Sequence, residues 1–147
     1  MAFDPGGTTG FALMVPEKKR IVVLKTGEFP DWRMVPDLVN GVGFPKPTAV
    51  VYELFNVKRL DVPTIPMETI GVIRYVAELA GLPIKGQPPS MRKSIDAMYG
   101  SDIDWARSHA GSAVRHGAVY CIQRWSLGRP AIVKADGFEH LIFKKSR

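Results

Sequence analysis

Two carboxylates in unlike surroundings carry the chemistry of this chain. Asp4 follows the apolar pair Ala2-Phe3 and precedes Pro5-Gly6-Gly7, two threonines and a second apolar run from Gly10 to Val15. Proline has no N–H to donate and glycine takes positive φ freely, so no strand runs through residues 5–7. The pattern predicts a hairpin with Asp4 at the tip of its first strand. A carboxylate held there, beside backbone N–H groups and threonine hydroxyls, suits a metal ion that must also meet a phosphate. Asp-Pro-Gly has a plainer use as an ordinary turn. Glu53 tips the balance: it stands alone inside the apolar run Val50-Val51-Tyr52-Glu53-Leu54-Phe55. Chemistry explains two acids ending two core strands of a basic protein better than packing does.

The 147 residues carry 20 Lys and Arg against 14 Asp and Glu, a net charge of +6 that favours polyanionic partners, nucleic acid first. Basic residues group at Lys18-Lys19-Arg20, Lys58-Arg59, Arg92-Lys93 and Lys144-Lys145 with Arg147. Each group alone is an ordinary solvated turn; four on one small domain with acids in its core read as a nucleic-acid surface. An apolar content of 46% with 23% charged residues is that of a soluble globular protein. No apolar run approaches the roughly 20 residues of a membrane span, so a cytoplasmic protein is expected. The single cysteine, Cys121, excludes an internal disulfide and a cysteine-rich zinc site, and it falls in an apolar helical pattern as a buried thiol.

These residues need elements to position them. Residues 1–29 read as a meander of three antiparallel strands, the third being the β-branched run 21–29. Residues 31–42 form a weak helix, capped by Asp31, in which Pro36 opens a second segment. In the strand predicted over 48–55, alternation places Val51, Glu53 and Phe55 on one face and Val50, Tyr52 and Leu54 on the other. An apolar helix spans about 67–80, closed by Gly81, with Pro83 beyond. It sits under the sheet or pairs with a copy of itself. A fifth strand covers 82–85, Ser90 caps the next helix, and a last helix runs from 105 or 107 to 125. Residues 131–143 have the form of a hairpin about Asp136-Gly137, or of a C-terminal arm used in dimerisation. One domain is expected, residues 1–125, with 126–147 as its hairpin or arm.

This order of elements resembles the ribonuclease H-like fold: α/β, with a five-stranded mixed sheet, three antiparallel strands then parallel ones, flanked by helices. More closely, the sequence is similar to the RuvC-type Holliday junction resolvases, in the shortened form carried by bacteriophages. The matching pieces are Phe3 to Gly10, Val51-Tyr52-Glu53, Thr69 to Tyr75, Gln87-Pro88-Pro89-Ser90 and His109 to His116. None is specific alone; the five in this order are.

The resemblance implies a structure-selective endonuclease acting on branched DNA as a homodimer, with two Mg²⁺ or Mn²⁺ ions per site. Asp4 would bridge the ions, Glu53 would complete one site, and the last helix would supply the rest through a His-x-x-Asp pattern. His109 fits the first position. The second is Ser112, whose neutral hydroxyl is a poor ligand for a hard dication. Either this chain carries an inactivating substitution, or the natural protein has an altered site, or, less simply, Asp96, Asp102 or Asp104 reaches in. His116, about 10 Å further along the helix axis, is expected to be structural or phosphate-facing, as is Arg115. Lys58, Arg59, Arg92 and Lys93 would hold phosphates, and Phe55 and Tyr75 would pack in the core or stack on an unpaired base. Two other readings stand beside this one. The first is a branched-DNA-binding module of the same fold that cuts poorly because of Ser112. The second is an actin-like ATPase domain, which shares Asp-x-Gly-x-Thr on the same hairpin.

Overall fold

The computed structural model describes residues 1–55 and 64–144. Six strands form one sheet in the order β5-β4-β1-β2-β3-β6. Strands β1 (Ala2–Asp4), β2 (Thr9–Pro16) and β3 (Arg20–Phe29) make the antiparallel meander, and β4 (Val50–Glu53) and β5 (Ile84–Gln87) extend it in parallel beside β1. The sixth strand, β6 (Ala131–Ile142), lies parallel to β3 at the opposite edge.

β6 corrects the sequence reading of residues 131–143 and the count of five strands. Val23 faces Lys134 and Lys25 faces Glu139, so residues 135–138 bulge out opposite Leu24 while both flanks stay paired to β3. Gly137 takes φ of 75° within that bulge. Asp-Gly supplies the backbone freedom of a tight turn, but here the freedom is spent on a bulge, because β3 is long enough to pair with both apolar flanks.

Alternation divides the core between the two faces. Phe3, Phe11, Phe29, Val50 and Tyr52 pack on α1 (Val35–Asn40) and α2 (Ile65–Leu79). Ala2, Ala12, Met14 and Val51 pack on α3 (Met91–Tyr99) and α4 (Ser108–Trp125). Asp31 accepts from the Arg33 amide and Pro36 stands in the first turn of α1, both as the residue types predict. Ser90 makes no side-chain cap. On α2, Ile73, Val76 and Ala77 are buried, whereas Tyr75 and Leu79 are exposed, so Tyr75 is not a core residue. Cys121 is buried as expected, and burial pushes its thiol up to about 11.

Helix α4 lies very close to the sheet because glycines face it. A Cβ on Gly10 would stand 2.1 Å from the His109 carbonyl carbon, and one on Gly117 would stand 2.6 Å from Met14 Sδ. The Gly10 contact is with backbone, which cannot swing aside. Gly10→Ala is therefore expected to destabilise the fold by about 3 kcal/mol or more, at the upper end of overpacking costs. Urea unfolding measures this directly; a loss below about 1 kcal/mol would show that α4 does not need the approach.

Candidate active site

The parallel pairing of β1 with β4 puts the two sequence-predicted acids side by side. Phe3 is in register with Tyr52, so the next residues, Asp4 and Glu53, end neighbouring strands about 4.8 Å apart. Glu53 is in turn in register with Gln87 at the end of β5. Asp4, Glu53 and Gln87 thus form one row across three strand ends. Above the row lies α4, which carries His109, Ser112 and His116 at i, i+3 and i+7, the spacing of one helical face.

His109 Nδ1 is 3.0 Å from Asp4 Oδ2. Asp4 is buried, while the His109 side chain is 48% exposed and borders solvent. Burial raises the Asp4 pKa above the ordinary carboxylate range, and the neighbouring charge of Glu53 raises it further; His109 and Arg92 act against both. Burial outweighs the favourable contacts at this carboxyl.

Glu53 is held from two directions. His116, fully buried, sets its Nε2 2.7 Å from Glu53 Oε2 and its Nδ1 2.8 Å from Gln87 Oε1. A carboxylate only accepts, so the Nε2 proton is donated to Glu53. Gln87 Nε2 has no partner among the described residues. Turning that amide over would satisfy the nitrogen on a bare Nδ1 and leave the Nε2–H bond to Glu53 unchanged. The second hold is Arg92 from α3. Its Nε lies 3.0 Å from Glu53 Oε2, an ion pair whose Nε–H is not aligned on the carboxylate and has no hydrogen-bond partner among the described residues, while its Nη1 donates to Ser112 Oγ at 3.0 Å. Arg92, expected to hold a phosphate, directs its guanidinium into the site.

Sequence reasoning missed His116 and Gln87 as site residues. Distance along α4 separated His116 from His109, but the row of strand ends crosses under the helix and meets it twice. The remaining candidates stand elsewhere. Ser112 is at the expected helical position, bonded to Arg92. Asp96 pairs with Arg115 at 2.6 Å, and Asp102 and Asp104 are exposed at the turn before α4, so none reaches the row. Arg115 also donates to the Ala106 and Gly111 carbonyls, a structural task. Thr9 points to the other face of β2 from Gly10, its hydroxyl buried with no partner among the described residues. Phe55 is half-buried just past β4. Lys58 and Arg59 lie outside the described residues. Lys93 and Arg107 are exposed along a groove of about 640 Å³ that runs beside Arg92 and Ser112 between α3 and the start of α4.

No family model matches the sequence, and comparison with curated proteins gives no match. Solved structures do match. The Thermus thermophilus RuvC structure aligns at a TM-score of 0.63 and 16% identity, over 88% of this chain and 97% of that one. T. thermophilus RuvC in complex with Holliday junction substrate aligns at 0.67 and 15% identity, with the same coverage. This chain has the RuvC fold.

The RuvC-like expectation of a divalent-metal site can be tested on the donors present. Asp4 Oδ2 and His109 Nδ1 stand one ligand–ligand edge apart, and a carboxylate with an imidazole is a donor pair that a divalent ion accepts, so one ion fits there. A second ion has no comparable donor set. The Glu53 oxygen nearest α4 is already shared by Arg92 and His116, and Ser112 offers a neutral hydroxyl that accepts from Arg92. Among the described residues no three His, Cys, Asp or Glu side chains are gathered closely enough to hold an ion together. Asp4 and His109 would therefore hold an ion, with Glu53 facing it from the next strand. A divalent ion held there supplies Lewis acidity and a water of lowered pKa.

Without metal, Asp4 is a liability to stability. Its folded pKa lies above the unfolded value of 3.8, so the folded state holds the proton more tightly and stability falls as pH rises through that window. Asp4→Asn is expected to raise the metal-free melting temperature by a few degrees at pH 7, with the gain vanishing below pH 3.8. Thermal melts in EDTA at the two pH values measure it, and an Asp4→Asn protein less stable at pH 7 would contradict this electrostatic reading.

Proposed function

We propose that this chain is a metal-dependent, structure-selective endonuclease that cleaves branched DNA, with Holliday junctions as the leading substrate, and that its catalysis is weak. The observation that carries this reading is the juxtaposition of Asp4 and Glu53 at neighbouring parallel strand ends, under a helix that adds His109 to Asp4. Phosphodiester cleavage develops negative charge on the phosphate and on the attacking and leaving oxygens, and acids fixed on strands hold a cation in register with them. The groove beside the site, with Lys93 and Arg107 exposed along it, gives a phosphate backbone a path to that cation. The fold shared with a RuvC solved on Holliday junction substrate supports the choice of DNA.

A homodimer goes with this reading, because a junction with two-fold symmetry offers two equivalent strands to two equivalent sites. Exposed Met67, Tyr75 and Leu79 on α2 supply apolar surface for a self-complementary interface. Ser112 and the Arg92–Glu53 pair favour a second reading, a domain that binds branched DNA without cutting it.

One set of measurements separates the two readings. Fluorescence anisotropy is expected to show a four-way junction bound at least tenfold more tightly than a linear duplex of equal length. Slow nicking of the junction is expected in Mn²⁺, with Asp4→Asn abolishing nicking while retaining binding. Junction binding without nicking in either Mn²⁺ or Mg²⁺ would select the binding module. Equal affinity for junction and duplex would overturn both.

A further inference from the structure

We infer that Arg92 is a resident cation of this site, its guanidinium standing where a second metal ion would otherwise be needed, so that the chain works with one metal ion and one arginine. This rests on the nuclease reading above and deepens it.

Three features of the site carry the inference. The first is position: Arg92 bridges Glu53 on β4 and Ser112 on α4, with Nε 3.0 Å from the carboxylate and Nη1 3.0 Å from the hydroxyl. It therefore spans the half of the site that lies away from the Asp4–His109 pair. The second is complementarity with residue 112. A serine oxygen accepts one hydrogen bond from the guanidinium and adds no charge, whereas an aspartate there would compete with Glu53 for the same arginine. Serine and arginine make one unit. The third is charge. Asp4 and Glu53 are the site's two carboxyl groups and Arg92 its guanidinium. Beside a fixed guanidinium, a second dication would add two more positive charges to a half-buried pocket with only two carboxyl groups to meet them, at a high desolvation cost.

Arg92 is also suited to act and not only to fill space. Its side chain is 36% exposed and opens on the groove with Lys93 and Arg107, so the face of the guanidinium away from Glu53 is open to a phosphate oxygen. Guanidinium forks match phosphate oxygens two at a time and stay charged at every accessible pH. Held by Glu53 and Ser112, the group is oriented before substrate arrives, as electrostatic stabilisation requires.

The test counts ions and watches the arginine. Mn²⁺ binding followed by electron paramagnetic resonance is expected to give one ion per chain for the unaltered protein and one for Ser112→Asp, since Arg92 pairs with the new carboxylate. The Arg92→Gln/Ser112→Asp double variant is expected to give two. Two ions on the unaltered chain, or one on a folded double variant, would overturn the inference while leaving the metal-dependent reading in place. No ion on the unaltered chain would overturn both. An arm free of substitutions is the Arg92 Nε–H resonance in a ¹H–¹⁵N spectrum. Buried beside Glu53, it should stay sharp and in place as the protein is saturated with Mg²⁺, and its loss to exchange would show that a second ion drives the guanidinium out of the site.

Discussion

Two carboxylates brought to adjacent strand ends, in a place where water reaches them poorly, constrain everything around them. Like charges at that separation oppose each other, and burial disfavours each one alone. The fold answers Asp4 and Glu53 differently. Asp4 has His109 as its hydrogen-bond partner, and burial still disfavours its charge. Glu53 has His116 behind it and Arg92 beside it, and its charge is met within the protein. One acid is left wanting a cation and the other is supplied with one.

The scaffold follows from that arrangement. Helix α4 must come close enough to set three side chains over the strand ends, and Gly10 and Gly117 remove the atoms that would hold it off. His116 and Gln87 fill the floor with a polar pair in a place where an apolar residue would leave the Glu53 carboxylate unmet. Arg115 ties α4 to Asp96 of α3 and to the Ala106 carbonyl, which fixes the helix that delivers Arg92.

Much of this was legible from residue types. Asp4 before Pro-Gly-Gly announced a strand end, and a lone Glu53 among β-branched and aromatic residues announced the second acid on the face opposite Val50 and Tyr52. The helices were visible in their apolar spacing and in Asp31, Pro36 and Gly81. What stayed hidden depends on lateral register. Nothing in the run Ile84 to Gln87 says that its last residue will stand beside Glu53, and only that neighbour gives His116 a role. Arg92 reads as one of many surface cations until α3 is docked. The Asp136-Gly137 pair misled for a related reason: local turn chemistry does not reveal whether the chain reverses or bulges, since the length of β3 decides it.

The proposed division of labour at these two acids falls to one metal ion and one arginine. Its most direct test is a crystal structure of the chain soaked in Mn²⁺, with anomalous scattering recorded at the manganese edge. A single anomalous peak touching Asp4 and His109, with the Arg92 guanidinium still seated on Glu53 and Ser112, is the expected result. Two peaks flanking Asp4 with Arg92 swung out, or no peak at all beside Asp4, would contradict it.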